Sequence, residues 1–304
     1  MSRVAAIDCG TNSIRLLIAD IEGESFREVT RQMEIVRLGE GVDKNGEFQP
    51  EAIQRTLRAL ENFQGEIARR GAEKIRFCAT SATRDAKNRA IFINGVKSII
   101  GIEPEVIPGV EEARLSFIGA TRELHTFDGP FLVIDIGGGS TEFVFGLSDV
   151  QAAISENIGC VRMSERHFTS APPQNGSITA AIVDIDRAIN EAAKMVPLRE
   201  ARTIIAVAGT ATTVAAAALD LAEYDRYSIH LSRISATKTH EVSQSFLKCK
   251  REEIESLGYM HPGRVDVIAA GSLVLDRILA YIGAQEFVAS ESDILDGMAW
   301  SLAD

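Results

Sequence analysis

An aspartate followed by a tight turn of small and polar residues lies close to the start of the chain. Asp8 precedes Gly10, Asn12 and Ser13. Gly10 lets the backbone approach a ligand closely, and the turn N–H groups with the Asn12 and Ser13 side chains can donate hydrogen bonds to phosphate oxygens. We expect Asp8 at a strand end, where its carboxylate could hold Mg²⁺ beside phosphate and water. The alternative is that Asp8 only caps the turn.

The same pattern returns in the middle of the chain. Identical residues recur at Ile7 and Ile134, Asp8 and Asp135, Gly10 and Gly137, and Ser13 and Ser140, at one offset of 127 residues (135 − 8). In the second copy Gly138, Gly139 and Ser140 offer phosphate-binding groups, and Glu142 adds a second carboxylate to Asp135 for a metal ion. A chance likeness between apolar strands would explain one copy, but two matched copies indicate a duplicated phosphate-binding domain.

A third glycine turn comes later, at Gly209 and Thr210. It follows the apolar run Ile204–Ala208 and opens an alanine-rich helix. Backbone N–H groups at a helix N-terminus bind anions, although an ordinary N-cap by Thr210 predicts the same pattern. A further turn, residues 261–264, either brings Arg264 to a ligand or only reverses the chain.

Arg84 stands in the first turn of a predicted helix, after the predicted strand Ile75–Ala79. The helix dipole disfavours a cation at this position. The placement therefore suits an arginine that clamps an anion through two N–H groups. The alternative is a solvated surface arginine.

Two adjacent carboxylates, Glu111 and Glu112, follow a Pro-Gly turn and begin a helix. Acidic residues suit the first turn of any helix, whereas the functional interpretation is that one of them is a general base that activates water. Consecutive helix residues point about 100° apart. At most one of the two can therefore face a substrate, and the spacing does not choose between them.

The elements that must position these residues alternate between strands and helices. The runs Val4–Ile7 and Ile14–Asp20 predict a hairpin, and Phe131–Ile136 predicts a strand buried on both faces. Helices are predicted over 51–70, 82–100, 111–121, 178–195 and 210–221, and the part after 238 is expected to be mainly helical. This alternation predicts an α/β fold, divided into domains at 1–125 and 126–304 with a cleft between them.

The composition excludes several classes of protein. The chain has 304 residues, with 32 Lys and Arg against 43 Asp and Glu and a net charge of −11, so we expect no nucleic-acid partner, which would require a basic face. No run approaches the roughly eighteen apolar residues of a membrane span, so we expect no membrane partner. Four scattered cysteines lack the CxxC spacing of a zinc site and suit a reducing, cytoplasmic location.

Six segments of the sequence, taken together and in their order along the chain, resemble those of the exopolyphosphatase / guanosine pentaphosphate phosphohydrolase family. That family is a branch of the actin, sugar-kinase and heat-shock chaperone ATPase superfamily. The likeness covers essentially the whole chain and is carried by AIDCGTNSIRLLIAD, CATSATRDAKN, IPGVEEARLSFIGA, FLVIDIGGGSTEFVFG, AVAGTATTVAA and HPGRVDVIAAGSLVLDRIL. The first and fourth segments alone would indicate only the superfamily.

The resemblance implies two ribonuclease-H-like (actin-like) domains and an enzyme, a phosphoric anhydride hydrolase. Its substrate would be inorganic polyphosphate, cleaved at the terminal phosphate, and in some members pppGpp. The resemblance also implies that Glu112 is the catalytic base and that Arg84 is the clamp. The implied phosphate-binding residues are Asn12, Ser13, Gly138, Gly139, Ser140, Gly209 and Thr210, and the implied Mg²⁺-associated carboxylates are Asp8, Asp135 and Glu142. Members of the family are often homodimers.

Two departures from the family pattern stand out. The usual DxGSNS is DCGTNS in this chain, which keeps a hydroxyl, and the chain stops at Asp304 without the helical HD-type domain of longer members. We therefore expect short polyphosphate chains to be preferred. Three other interpretations stay open, namely a sensor that binds (p)ppGpp or polyphosphate with little catalysis, a kinase of the same superfamily, and an actin-like polymer.

Overall fold

The structure is a computed structural model that describes residues 2–303. By their contacts these residues form two units, one made of residues 2–119 and 294–303 and the other of residues 120–293. In this part of the chain no helix is both long and apolar enough to cross a membrane.

Strands and helices alternate along much of the chain. It begins with β1 (Ser2–Cys9), β2 (Ser13–Glu22), β3 (Ser25–Ile35), α1 (Val42–Asn45), α2 (Pro50–Arg70), β4 (Lys74–Ala79), α3 (Ser81–Asp85), α4 (Arg89–Ile100), β5 (Glu105–Val106) and α5 (Gly109–Thr121). It continues with β6 (Phe131–Ile136), β7 (Thr141–Gly146), β8 (Val150–Glu156), α6 (Cys160–His167), α7 (Asn175–Met195), β9 (Thr203–Val207), α8 (Ala208–Ala218), α9 (Arg226–Ile229), β10 (Arg233–Ser235), α10 (Ala236–Lys248), α11 (Arg251–Glu255), α12 (Ile268–Ile282), β11 (Glu286–Ala289) and α13 (Ile294–Trp300).

The first unit is built on a mixed sheet in the order β3-β2-β1-β4-β5. The strands β1, β2 and β3 pair antiparallel, as the predicted hairpin requires, while β4 and β5 join parallel to β1. Because side chains alternate across a strand, β1 contributes to two cores. On one face Ile7 packs in a cluster with Phe63 of α2 and Phe92 of α4.

The other face of this sheet is covered in part by the C-terminal helix α13, which packs against β1 and β2. Its Leu295 and Met298 are fully buried and belong to one cluster with Val4 and Leu17. The sequence analysis placed this segment in the second domain. In the structure it belongs to the first unit, because the second apolar face of β1 and β2 must be covered by apolar side chains.

The second unit repeats the same strand pattern in a sheet ordered β10-β11-β9-β6-β7-β8. Three antiparallel strands, β6 to β8, are followed by the parallel neighbours β9 and β11. Ile134 and Phe143 pack in one cluster with Ile185 of α7, Val214 of α8 and Leu273 of α12. The predicted α/β architecture with two similar domains is confirmed, and the predicted cleft stays a prediction.

The predicted helix over 82–100 is two helices, α3 and α4, separated at residues 86–88. Hydrogen bonds to a distant segment cause the break. The Lys87 N–H donates to the Gly46 carbonyl at 2.9 Å, and the Asn88 side chain bonds both the N–H and the carbonyl of Phe48 at 2.8 and 3.0 Å. These bonds replace the intrahelical ladder, so the apolar periodicity alone could not locate the break.

Several short elements were not predicted from the sequence. They include β8 and α6 in the middle of the chain and β10 and β11 near its end. Each of these strands is defined by pairing with a partner, and short strands carry little periodic signal of their own.

Candidate active site

Glu112 lies in the first turn of α5, and only 9% of the residue is exposed. Its Oε2 accepts a hydrogen bond from Arg84 Nη1 at 2.6 Å, and the same Nη1 donates to the Ile107 carbonyl at 3.0 Å. The Thr80 hydroxyl is a further hydrogen-bond partner of this carboxyl group. The predicted base and the predicted clamp are therefore in direct contact.

The sheet explains why these groups meet. Strands β1, β4 and β5 are parallel, so their carboxyl ends lie at one edge, where ligands bind in open α/β sheets. The Thr80 N–H donates to the Cys9 carbonyl at 3.1 Å, and the Ile107 N–H donates to the Ala79 carbonyl at 3.1 Å. These bonds place the starts of α3 and α5 beside the turn that follows β1.

Burial raises the pKa of Glu112 above its usual value. The Arg84 guanidinium and the Thr80 hydroxyl oppose this shift, whereas the nearby Asp8 carboxylate adds to it. A carboxylate whose pKa is raised toward the working pH is a stronger base than an exposed one. The Arg84 contact favours the ionised form of the carboxylate and fixes its orientation.

Glu111 has the opposite environment. Its two carboxylate oxygens accept hydrogen bonds from Arg114 Nε and Nη2, both at 2.8 Å, and Arg76 lies at 3.3 Å. The Arg114 bonds, with those of Arg76, lower the pKa of Glu111. Where two carboxyl groups have their pKa values pushed apart, the raised one is the better candidate for a base. The structure thus distinguishes two residues that spacing could not.

The first glycine turn connects Asp8 to Ser13. The Gly10 N–H donates to the Ser13 carbonyl at 2.9 Å, and Asp8 Oδ2 accepts two bonds from Arg15, from Nη2 at 2.7 Å and from Nε at 3.0 Å. The Asn12 carbonyl accepts from the N–H groups of residues 36 and 37, and the Thr11 carbonyl from that of Gly39. These bonds anchor the turn to the segment of residues 36–39.

Two buried oxygens of this turn, Thr11 Oγ1 and Asn12 Oδ1, have no hydrogen-bond partner within the described residues, and neither has the buried Thr83 Oγ1 in α3. Buried polar atoms nearly always have one, and exceptions mark places where water, an ion or a substrate completes the bonding. The sequence analysis had singled out Asn12. It missed the two threonines, whose hydroxyls can donate to an anion or accept from water.

The second glycine turn has the same hydrogen bond, from the Gly137 N–H to the Ser140 carbonyl at 3.0 Å. Its carbonyls accept from the first N–H groups of α6, so α6 supports the turn. Arg162 Nε donates to the Gly139 carbonyl at 2.6 Å. A Cβ atom on Gly159 would lie 2.4 Å from the carbonyl carbon of Gly138, so only glycine permits this approach.

Asp135 and Glu142 stand directly opposite each other on β6 and β7. Both residues are buried, and Glu142 Oε1 accepts a hydrogen bond from the Ser155 hydroxyl at 2.7 Å. Mg²⁺ is commonly bound through one or two carboxylates, with waters and phosphate oxygens completing its shell. This oxygen donor set fits that ion. Residues 2–303 contain no group of three or more His, Cys, Asp or Glu side chains that could hold a metal by themselves.

The third glycine turn is covered by an arginine. Arg264 Nη1 donates to the Gly209 carbonyl at 2.6 Å and to Thr213 Oγ1 at 3.0 Å. A Cβ atom on Gly209 would lie 2.0 Å from Arg264 Cζ, so the guanidinium packs on the bare glycine. Thr210 is buried and hydrogen-bonds the Cys160 thiol. The turn at 261–264 therefore brings Arg264 to the loop.

Within each unit the structure collects the residues that the sequence analysis proposed. The first unit holds Asp8, Asn12, Ser13, Arg84 and Glu112, and the second holds Asp135, Gly138, Gly139, Ser140, Glu142, Gly209 and Thr210. The residues that sequence reasoning missed are Thr11, Arg15, Gly39, Thr83, Gly159 and Arg162. The repeat offered one signal, since Arg15 occupies the position that corresponds to Glu142 (142 − 15 is again 127).

Comparisons with known proteins identify similar chains and similar folds. The chain is 44% identical over 317 aligned residues to Exopolyphosphatase 2 of Mycobacterium tuberculosis (strain CDC 1551 / Oshkosh), covering 100% of this chain and 99% of that protein. A crystal structure of an exopolyphosphatase-like protein superimposes with a TM-score of 0.96 at 44% identity, covering 99% of this chain and 97% of that one. The PPX-GPPA enzyme of Aquifex aeolicus gives a TM-score of 0.82 at 28% identity, with 99% of each chain covered.

The sequence model of the Ppx/GppA phosphatase family matches residues 17–304. That match spans nearly the whole chain, and the mycobacterial relative aligns with it from end to end. The chain therefore belongs to the Ppx/GppA phosphatase family.

Proposed function

We propose that the protein is an exopolyphosphatase, which releases the terminal phosphate of inorganic polyphosphate by attack of water. The observation that carries this proposal is the buried carboxyl group of Glu112. Burial raises its pKa, and hydrogen bonds from Arg84 and Thr80 hold it near the first glycine turn. Such a carboxylate can take a proton from water. The resemblance to exopolyphosphatases supplies the substrate class.

Glu112 orients a water molecule and accepts its proton as the water oxygen attacks the terminal phosphorus. The bond from that phosphorus to the bridging oxygen breaks, and the shortened polyphosphate leaves with the bond's electron pair. Phosphoryl transfer of this kind depends mainly on positioning and on neutralising charge. Arg84 orients Glu112 and is proposed to contact the transferred phosphoryl group as well.

Asp135 and Glu142 are the residues proposed to hold Mg²⁺. When bound, the ion would neutralise charge on the phosphate oxygens. The backbone N–H groups of Gly138 and Gly139 and the Ser140 side chain are proposed to bind phosphate, as are Asn12 and Ser13 in the first unit. Gly209 and Thr210 are proposed to bind a more distant part of the substrate, next to Arg264.

The test is phosphate release from short and long polyphosphate and from pppGpp in the presence of Mg²⁺. Wild type, Glu112→Gln and Glu111→Gln are compared, because the two substitutions change adjacent residues in the same way. We expect Glu112→Gln to lower kcat by about 10²–10⁴-fold, the usual contribution of a general base, while Glu111→Gln changes it little. The ranking of the substrates tests the preference for short chains and the hydrolysis of pppGpp.

Three outcomes would redirect the proposal. Near-normal turnover by Glu112→Gln would remove the assigned base. A folded wild type that binds polyphosphate or (p)ppGpp without releasing phosphate would favour the sensor, and ATP-dependent transfer to a second substrate would favour the kinase.

We also propose a homodimer and a cytoplasmic location. The homodimer rests on the family resemblance, and sedimentation equilibrium tests it. The location is supported by the cysteines, none of which forms a disulfide within the described residues. Fractionation of cells tests it.

A further inference from the structure

The first turn of α5, which carries Glu112, is attached to the sheet by little backbone pairing. The strand before it, β5, has two residues, Glu105–Val106, and pairs with β4 at the edge of the sheet. After β5, the Ile107 N–H donates to the Ala79 carbonyl at 3.1 Å. A segment with few backbone bonds to its neighbours opens easily. Side-chain and helix contacts must therefore hold the start of α5 in place.

Arg76 of β4 joins this turn to two other segments of the first unit. Only 14% of its side chain is exposed. Its Nη2 donates to Glu105 Oε2 of β5 at 2.9 Å and to Glu111 Oε1 in the first turn of α5 at 3.3 Å. Its Nη1 donates to the Ser301 hydroxyl, just after α13, at 2.8 Å. The planar guanidinium fixes the directions of these bonds, so one residue links β5, α5 and the end of α13.

The C-terminal helix α13 also contacts α5 directly, at Gly297. A Cβ atom on Gly297 would lie 2.0 Å from the Leu115 carbonyl oxygen and 2.8 Å from the carbonyl carbon. The backbone of α13 therefore packs on the backbone of α5, about one turn after Glu112. Leu115 belongs to one buried cluster with Met298 of α13 and Val4 of β1. Because such interiors are closely packed, a displacement of α13 would displace α5 as well.

We propose that Arg76 and Gly297 are positioning residues for catalysis, through which α13 holds the first turn of α5 and thereby Glu112. The inference rests on the proposed function, in which Glu112 is the base. Both residues act through neighbours of the base, Arg76 through Glu111 and Gly297 through Leu115. The physical reason is the precision that proton transfer requires, since a displacement of about 1 Å can lower the rate about 10²-fold.

The first measurement is kcat and KM for phosphate release from polyphosphate by Arg76→Gln and Gly297→Ala. We expect kcat to fall about 10–10²-fold in each, with KM little changed, because the phosphate-binding turns keep their residues. Arg114→Gln is the matched control, since Arg114 binds the same Glu111 carboxylate but belongs to α5 itself. Gly65→Ala, with no atom within 4 Å of its added Cβ, controls for the added methyl group. Both controls should keep the wild-type kcat, as should Glu111→Gln, whose amide oxygen still accepts from Arg76.

The second measurement is amide hydrogen exchange at the start of α5, which requires no turnover. The Glu111 and Glu112 N–H groups donate to the Pro108 carbonyl at 3.0 and 3.1 Å. We expect both amides to exchange faster in Arg76→Gln and Gly297→Ala, while the amides of β2 keep their wild-type rates. A wild type that releases no phosphate would refute the proposed function, and the exchange rates would still decide whether α13 and Arg76 hold this turn.

Three results would each overturn the inference. They are a wild-type kcat in both folded variants, a raised KM with kcat unchanged, and exchange that rises equally throughout the first unit. Thermal denaturation establishes that each variant is folded. Arg76→Gln decides the question if Gly297→Ala does not fold, and Arg76→Lys, which keeps the charge but loses the forked geometry, takes the place of Arg76→Gln if that variant does not fold.

Discussion

Replacing Arg84 by Gln should change the pH dependence of catalysis rather than only its rate. Arg84 Nη1 lies 2.6 Å from Glu112 Oε2, and burial already raises the pKa of that carboxyl group. Removing the guanidinium takes away the main group that opposes this effect, so the pKa of Glu112 rises further. Glu112 acts as a base only when it is ionised, so activity is lost at low pH and recovers as the pH increases.

The size of the loss follows from the contact. A hydrogen bond to a charged group contributes about 1.5–3 kcal/mol, and about 1.4 kcal/mol corresponds to a factor of ten. The Arg84 and Glu112 side chains are 23% and 11% exposed, so solvent screening weakens the pair only modestly. We take the lower end and expect kcat to fall about tenfold or somewhat more on the acidic side of the profile.

The assay is kcat for phosphate release from polyphosphate, measured across the acidic and alkaline sides of the profile for wild type and Arg84→Gln. Arg114→Gln is the matched control, because Arg114 binds the neighbouring Glu111 at the surface, and its profile should keep the wild-type shape. A uniform loss at every pH would refute the reasoning and leave Arg84 as a substrate clamp alone. Thermal denaturation establishes that both variants are folded.

Two further predictions concern packing. Gly159→Ala should destabilise the protein by about 1–3 kcal/mol, the usual effect of overpacking, because the added Cβ meets the backbone of Gly138. Urea unfolding measures this loss, and Gly176→Ala, with no atom within 4 Å of its added Cβ, is the control. Leu295→Ala should lower the free energy of unfolding by about 2–5 kcal/mol and expose α13 to proteolysis, because Leu295 is fully buried in the first unit. Val183→Ala, at an exposed position, should leave the free energy of unfolding within about 0.5 kcal/mol of wild type. Equal effects of the two substitutions would contradict the packing described.

Much of the fold could be predicted from local patterns. The hairpin of the first unit, the helix over 51–70 and the buried strand Phe131–Ile136 all appear in the structure, the last with identical bounds. Their signals are local, since a tight turn with apolar flanks or an apolar period of 3.6 needs no information from elsewhere in the chain. The repeat at a constant offset further predicted that the two units share one topology.

Other features depended on partners far away in the sequence. The break between α3 and α4 is set by hydrogen bonds to residues 46–48, and β11 exists through its pairing with β9 and β10. The place of α13 in the first unit depends on an apolar sheet face formed almost 300 residues earlier. No local pattern encodes such contacts, because the apolar faces and strand edges that they cover form only when distant segments of the chain come together.

The sequence by itself determined the types of residue available, namely carboxylates, hydroxyls and glycine turns suited to phosphate, and the duplication that carries them. The tertiary structure decided which of two adjacent glutamates is the buried one, since only the packing of α5 beside Arg84 separates Glu112 from Glu111. It also decided that Asp8 faces a cation of the chain's own, because cross-strand register brings Arg15 to its side. The physical reason is that pKa and charge balance depend on burial and on neighbours, and a linear sequence specifies neither until strands and helices pack.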